Sequence, residues 1–586
     1  MYFAMEKSLS LKVAVLLLVT VSLTAQSEPV SLAQAQRVAR QFVLSGKGKL
    51  VSRSRNALHL AYEAKSVHGM TDYYVFNHGD DDGFIVVSGD DRVAPIAGYC
   101  EKGSFDAHAM PCNERWWFGE YQRQMQFLRD NPKVKARKRV ELDRTVRPLL
   151  TTRWNQCRPY NDMCPVAPAS DDPFLFYGGR ACTGCVATAM AQLMNYWKWP
   201  KRGMGSHSYS CDVSFFNTET GAFDTRNDNL SADFAQSVYE WELMRDEYLY
   251  GIDDNNELFV YVIDDNGRYV PDFDGTYGNA VAKLMSDVGI SVEMGYGSNG
   301  SGADSYGVYR ALYNYFSYLV DYASRDDIGA MIDDIDYDFL WDETLRAKLD
   351  AGIPIYYSAQ SQKGGHAFVL DGYDNEGRFH VNWGWGGSFD GYYETLSLDP
   401  ANYQFDYHHQ MITGEPYRPL TSSPENGKTI DFGIVPMDSA VVKTVMVYGT
   451  YLDDKLLVEI SGKDAINFQT EVFTIQPSEV NEVEGYALEI VYFPPVEGSH
   501  TAQLKLTPQG NDLHGNPIEP ICLTLKGRLG DVCDVNLDGE VNIADVNTLA
   551  GLILSSVSDS LVGDVNLDGE ISIADMNALI DTILGM

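Results

Sequence analysis

The chain has 586 residues, of which 45% are apolar and 12% aromatic, enough for several folded cores and too much for a disordered chain. Forty-five basic against 82 acidic residues give a formal net charge of −37. That balance argues against nucleic acid and anionic membrane surfaces, because phosphates are met with Lys and Arg.

At roughly 150 residues per domain the length suggests about four domains. Residues 1–25 read as an export signal: Lys7 and Lys12 precede a short apolar run, Val13 to Val21, and Ala25 is a plausible last residue before cleavage. No later apolar run approaches the ~20 residues of a membrane span. The expected location is secreted, extracellular or cell-surface associated.

Residues 26–145 have mixed character. "GFIVVSGDDRVAPIAGYCEKGSF" reads as strands with turns, and "NERWWFGEYQRQMQFLRD" as an amphipathic helix. A basic stretch follows, with Lys133, Lys135, Arg137, Lys138, Arg139, Arg144 and Arg147. In so acidic a chain it reads as an exposed linker and a cleavage site between a pro-segment and a mature enzyme. Residues 146–415 are rich in Gly, Trp and Tyr, with a helix after Cys185 and strands around 355–395. Asp253, Asp254, Glu257, Asp264 and Asp265 look like a surface insertion. Period-two stretches dominate 420–527 ("KTVMVYGTYL", "YALEIVYF", "TAQLKLTP"), as expected of a small antiparallel β-sandwich. Residues 531–586 hold a repeat: "DVNLDGEVNIADVN" from Asp534 and "DVNLDGEISIADMN" from Asp564.

The strongest chemical signal is "GGRACTGCVATAMAQLMNYW". A Gly-rich loop runs into Cys185, and Val186 to Tyr196 reads as a helix with Thr183 as a plausible cap. Cys185 then sits in the first turn, where the helix dipole and free N–H groups favour the reactive thiolate. Nine cysteines leave at least one unpaired. Cys182 and Cys185 form a CxxC, but no second CxxC or His pair completes a zinc site. The candidate base is His366 in "KGGHAFVLDGY", where Gly364 and Gly365 let a substrate backbone approach. A turn at Asp374 to Gly377 leads into "RFHVNWGWGG". A hairpin there returns Asn382 and Trp383 toward His366, with the register left open. Asn382 would hold the imidazole tautomer and Trp383 would cover that bond from water. The Cys185 N–H and the Gln156 side chain are candidate oxyanion donors.

"TGCVATAMAQLMNY", "GGHAFVLDGY" and "HVNWGWGGSFDGYY" resemble the streptopain family of secreted papain-like cysteine proteases, and "GFIVVSGDDRVAPIAGYCEKGSF" resembles that family's inhibitory pro-domain. The resemblance implies an α+β papain-like protease domain (146–415) made as a zymogen behind an α+β pro-domain (26–145). It implies Cys185 as nucleophile, His366 as base and acid, Asn382 orienting His366, Trp383 shielding the pair, and Gln156 in the oxyanion hole, acting on protein or peptide substrates without a cofactor. The acidic insertion keeps the substrate pockets from being carried over.

An oxygen cage for Ca²⁺ needs acidic or amide side chains at alternate loop positions, a Gly at the sharp turn and a carboxylate at position 12. The first repeat offers Asp534, Asn536, Asp538, Glu540 (through its carbonyl), Asn542 and Asp545. The second offers Asp564, Asn566, Asp568, Glu570, Ser572 and Asp575. Asp at position 12 and the paired loop-helix repeat resemble type I dockerin. That implies a small α-helical calcium-loop module and Ca²⁺-dependent docking to a cohesin-type partner. Two other function classes fit parts of the chain: a calcium-dependent adhesin or scaffold component with an inert protease-like domain, and a transglutaminase-like thiol acyltransferase.

Overall fold

The computed structural model describes residues 29–585, apart from 47–57, 109, 111, 132–140, 169–177, 253–257, 265–266, 328–336, 362–363, 395–407, 450–451, 481–484, 513–514, 516, 556–562 and 567–569. The export signal, the basic residues 133–139, Asp253, Asp254, Glu257, Asp265 and Asp568 lie outside the described residues. The chain divides into two compact units, Met1–Pro416 and Tyr417–Met586.

The first unit is organised on one 10-stranded antiparallel sheet to which both its segments contribute. The N-terminal segment supplies Leu58–Lys65, Thr71–His78, Phe84–Ser88 and Ile96–Cys100. The sheet continues through Gly391–Tyr393, Phe379–Asn382, Gly364–Tyr373, Ile355–Ser361, Gln410–Pro416 and Tyr318–Ser324. The seam is the pairing of Tyr99 with Tyr392 and Gly98 with Tyr393. Gly98 is required there, because a Cβ would lie 2.6 Å from the Tyr393 ring. Arg378 fastens the same seam. It is buried, bonds Asp374 at 2.9 Å and Glu376 at 2.7 Å, donates to the Ile96 carbonyl, and lies over the rings of Phe42 and Tyr99.

The helix Cys112–Asp130 lies on this sheet because Trp117, Tyr121, Met125 and Leu128 recur at helical spacing and are all buried. Met125 and Leu128 are fully covered, each worth roughly 1.5–3 kcal/mol relative to exposure. The other sheet face carries the helix Cys185–Trp197, whose residues 186–195 are all buried. The strands Tyr248–Ile252, Leu258–Ile263 and Tyr269–Pro271 form a three-stranded sheet, and Ser206–Asn217 and Ala222–Asp233 form a long hairpin.

In the second unit, two sheets of four and five strands enclose a core of Val445, Val447, Leu488, Ile490, Leu504, Leu506, Leu523 and Leu525. These positions alternate, as the period-two pattern requires. The sandwich is not purely antiparallel: Thr429–Val435 pairs in parallel with Ile521–Leu529. Alternation reports which face is buried, not which way a neighbour runs. Two helices follow, Ile543–Ser555 and Ile573–Leu584, meeting through fully buried Leu549 and Leu579. Among the described residues no helix is long and apolar enough to cross a membrane.

Candidate active site

Cys185 is the first residue of its helix, and the cap is Gly184 rather than Thr183. Gly184 has φ 86°, and a Cβ there would meet the Ser301 carbonyl at 2.8 Å and the Met294 sulfur at 2.9 Å. A side-chain cap is therefore sterically barred. Thr183 turns inward instead, its hydroxyl 2.9 Å from that of Thr188. The sharp turn leaves Cys185 half-buried at the floor of a cleft of about 1540 Å³. Gln156, Cys182, His366, Trp385 and the loop Ser298–Ser305 line the same cleft.

Gln156 is held against the nucleophile turn, its carbonyl accepting from the Thr183 N–H at 3.1 Å. Its side-chain amide nitrogen is buried without a hydrogen-bond partner among the described residues. A buried, unpaired donor beside the nucleophile is costly to a resting protein and useful to a developing oxyanion.

His366 lies in the same cleft but faces the other way. Along Gly364–Tyr373, Ala367 and Val369 pack into the core around the Cys185 helix, whereas Phe368 and Leu370 pack into the core under the pro-segment helix. His366 shares the parity of Phe368 and Leu370. Its ring meets Trp116 of the pro-segment, with centroids 6.2 Å apart. Burial pushes the His366 imidazole down to about 4, so it is neutral. Burial raises the Cys185 thiol, against the backbone N–H groups of Ala367 and Val186. In this state the thiol and imidazole are not an ion pair.

The same pleat explains where Asn382 lies. It pairs with Val369 and therefore faces the Cys185 helix, opposite to His366. The expected Asn382–His366 bond is absent among the described residues. The Asn382 oxygen accepts from Gln192 at 3.0 Å and from the Gly384 N–H at 3.1 Å, and its nitrogen donates to the Thr152 carbonyl at 2.8 Å. Trp383 is buried against Phe368 and Tyr393 on the His366 face, outside the cleft lining. The structure thus gathers Gln156, Cys185 and His366 around one cleft and leaves Asn382 and Trp383 behind its walls.

Trp116, Gln192 and Trp385 escaped sequence reasoning. Trp385 had a signal, the second Trp of "NWGWGG". Gln192 had one too, a polar amide in a mostly apolar helix. Trp116 had none, because its partner is distant in sequence.

Residues 154–393 match the peptidase C10 family and residues 27–125 the Spi protease inhibitor family. The chain is 34% identical over 339 residues to streptopain from Streptococcus pyogenes, covering 56% of this chain and 75% of that protein. The chain belongs to the peptidase C10 family. It is a cysteine-type endopeptidase. Thiol protease/hemagglutinin PrtT from Porphyromonas gingivalis is 30% identical over 394 residues, and the match spans 64% of this chain and only 40% of that protein. Among solved structures, a prointerpain A fragment from Prevotella intermedia is 32% identical over 61% of this chain and 98% of the fragment, with a TM-score of 0.44.

In the C-terminal repeats, the carboxylates at positions 1 and 12 are turned inward: Asp534, Asp545, Asp564 and Asp575 are all buried. The described parts of the two loops are built alike. Asp545 accepts from the Asn536 and Asn542 N–H groups at 2.9 and 2.8 Å, and Asp575 from Asn566 and Ser572 at 3.1 and 2.8 Å. Arg528 lies 4.0 Å from Asp534. Among the described residues, no group of three or more acidic, His or Cys side chains is drawn together as a preformed metal cage.

Proposed function

We propose that this C10 protease is a secreted zymogen of papain-like mechanism, held inactive by its own pro-segment. The observation that carries the reading is the division of the active site between two sheet faces, Cys185 and Asn382 on one and His366 on Trp116 on the other. Release of the pro-segment uncovers His366, and a half-pleat change at Gly364–His366 turns the imidazole to the Cys185 face. There His366 takes the thiol proton, and the Cys185 sulfur attacks the scissile carbonyl. The oxyanion is held by the Cys185 N–H and the Gln156 amide, and His366 protonates the leaving amine. Water then hydrolyses the thioester by the same base and donors. Asn382 keeps the imidazole in the productive tautomer, and buried Trp383 supports that wall.

The C-terminal repeats fit Ca²⁺. Four inward carboxylates, of which Asp534 has an arginine at 4.0 Å, are a hard-oxygen donor set of the kind this ion takes. Asp534, Asn536, Asp538, the Glu540 carbonyl, Asn542 and Asp545 would hold one ion, and Asp564, Asn566, Asp568, the Glu570 carbonyl, Ser572 and Asp575 a second. Bound ions would supply charge neutralisation, and the module would dock a cohesin-type protein. Mass spectrometry of the exported protein tests the protease reading. Wild type should show a new N-terminus near residues 133–147 and a single inhibitor-labelled thiol, Cys185. An unprocessed wild-type chain, or a label on another cysteine, would overturn it.

A further inference from the structure

We propose that Gln192 is a positioning residue of the peptidase reaction: it holds the Asn382 amide with its oxygen turned toward the Cys185 face, ready for His366. The inference rests on the reading of Asn382 as the residue that orients His366.

Gln192 stands two turns after Cys185 and on the same side of the helix. Its neighbours along residues 186–195 are mostly apolar, and it is fully buried among them. A buried amide is tolerated only when its hydrogen bonds are made, and Gln192 makes two. Its oxygen accepts from the Thr152 hydroxyl at 2.9 Å, and its nitrogen donates to the Asn382 oxygen at 3.0 Å. Asn382 closes the ring by donating to the Thr152 carbonyl at 2.8 Å.

The sense of every amide in this ring is fixed. The Thr152 carbonyl can only accept, so it faces the Asn382 nitrogen. The Gly384 N–H can only donate, so it faces the Asn382 oxygen at 3.1 Å. Gln192 must therefore present its NH₂. Gly384 reaches this position because it has no side chain: φ is 73°, and a Cβ would lie 3.0 Å from the Thr188 methyl. Thr152 also begins the segment that carries Gln156. One buried ring thus ties the nucleophile helix, the orienting amide and the oxyanion donor segment together while His366 is still on Trp116. Three parts of the site are assembled before activation, and one strand residue has to move.

Gln192→Glu keeps the shape and replaces the donor by an oxygen, which repels the Asn382 oxygen and turns or displaces that amide. Thr152→Val adds no charge and removes the hydroxyl that holds the Gln192 oxygen, so the amide is less firmly held. Full-length variants are processed in trans by wild-type enzyme, which is then removed, and assayed on a small peptide. Gln192→Glu should lower kcat roughly 10- to 100-fold, the scale of a misplaced catalytic group, with KM changed less than about twofold. The alkaline limb of kcat/KM should move to lower pH, because the His366 imidazolium loses its acceptor. Thr152→Val should act in the same direction and less. In an Asn382→Ala background, Gln192→Glu should cost nothing further.

Undiminished kcat in Gln192→Glu and Thr152→Val while Asn382→Ala is impaired would overturn the role of Gln192 alone. Losses that multiply in the double variant would also overturn it, since Gln192 would then act independently of Asn382. Full activity of Asn382→Ala would overturn the parent reading. If the buried Glu prevents folding, the kcat and pH profile of Thr152→Val decide.

Discussion

The catalytic cleft and the C-terminal repeats solve opposite problems. In the repeats every donor lies within twelve consecutive positions, and the two copies fold their described parts alike. In the cleft, Gln156, Cys185 and His366 come from a loop, a helix start and a strand, and the pleat of one strand decides whether they form a working set. Local sequence can set the placement of a whole run of oxygen-bearing side chains almost completely. A site that spans two sheet faces can have all its residue types in sequence and still hold them on opposite faces in structure.

The largest effect that would sharpen this contrast is loss of the nucleophile. Cys185→Ser should lower peptidase activity at least about 10⁴-fold, because a hydroxyl is far less acidic than a thiol and this base does not activate it. His366→Ala should be equally inactive. Both proteins should stay full length when expressed alone, read by mass spectrometry. A Cys185→Ser chain that still matures alone and digests casein would displace Cys185 from the mechanism. Next comes the oxyanion donor. Gln156→Ala should lower kcat by about 10²- to 10³-fold, as removal of one such donor does elsewhere. Its amide nitrogen has no other partner among the described residues, so Tm should change little. A large fall in Tm with kcat unchanged would make Gln156 structural.

Much of the fold was legible because its causes are local. The helix Cys185–Trp197 follows from a run of good formers, and the sandwich core from alternating Val, Leu and Ile. That Gln156, Cys185 and His366 line one cleft agrees with what their local contexts suggest. The side of the strand on which His366 stands was not legible. That depends on the parity of Phe368 and Leu370 against a pro-segment helix far away in the chain, which no local pattern records. The Gly184 cap was missed for a related reason. Thr is the better cap by preference, but the Ser301 and Met294 atoms that forbid a Cβ come from another loop.

Calcium tests the other side of the comparison. Between 531 and 586 there are 11 acidic residues and no Lys, Arg or His. Their mutual repulsion acts on a small core centred on Leu549 and Leu579. Ion binding should therefore be part of the module's folding energy. Chelation should melt the C-terminal helices, seen by circular dichroism of the full chain, and leave peptidase activity on a small substrate unchanged. Calorimetry should count about two ions, with Asp534→Ala and Asp564→Ala each removing one. A module equally folded with and without calcium would sink the cage. Peptidase activity lost on chelation would erase the independence of the two regions.

The smallest effect concerns pH and the lock on His366. Edge-on to Trp116, the His366 imidazole is pushed by burial from its ordinary 6.5 to about 4. The released form binds a proton more readily than the locked form. The lock is therefore at full strength above 6.5 and weakens as pH falls from 6.5 toward 4. Asp390 works the other way: burial raises its carboxyl to about 7, so its protonation favours the closed state. A comparison isolates the imidazole. In a Cys185→Ala chain nicked by added trypsin within the basic stretch, the pro-segment should stay bound at pH 7.5 and dissociate severalfold faster at pH 5, followed by gel filtration. Trp116→Ala should raise dissociation at both pH values by removing the ring that His366 meets. His366→Phe keeps an aromatic contact and has no proton to gain, so it should flatten the response. Acid release undiminished in His366→Phe would show that another group carries the pH dependence, and that turning His366 away from Cys185 is not the step that proton uptake assists.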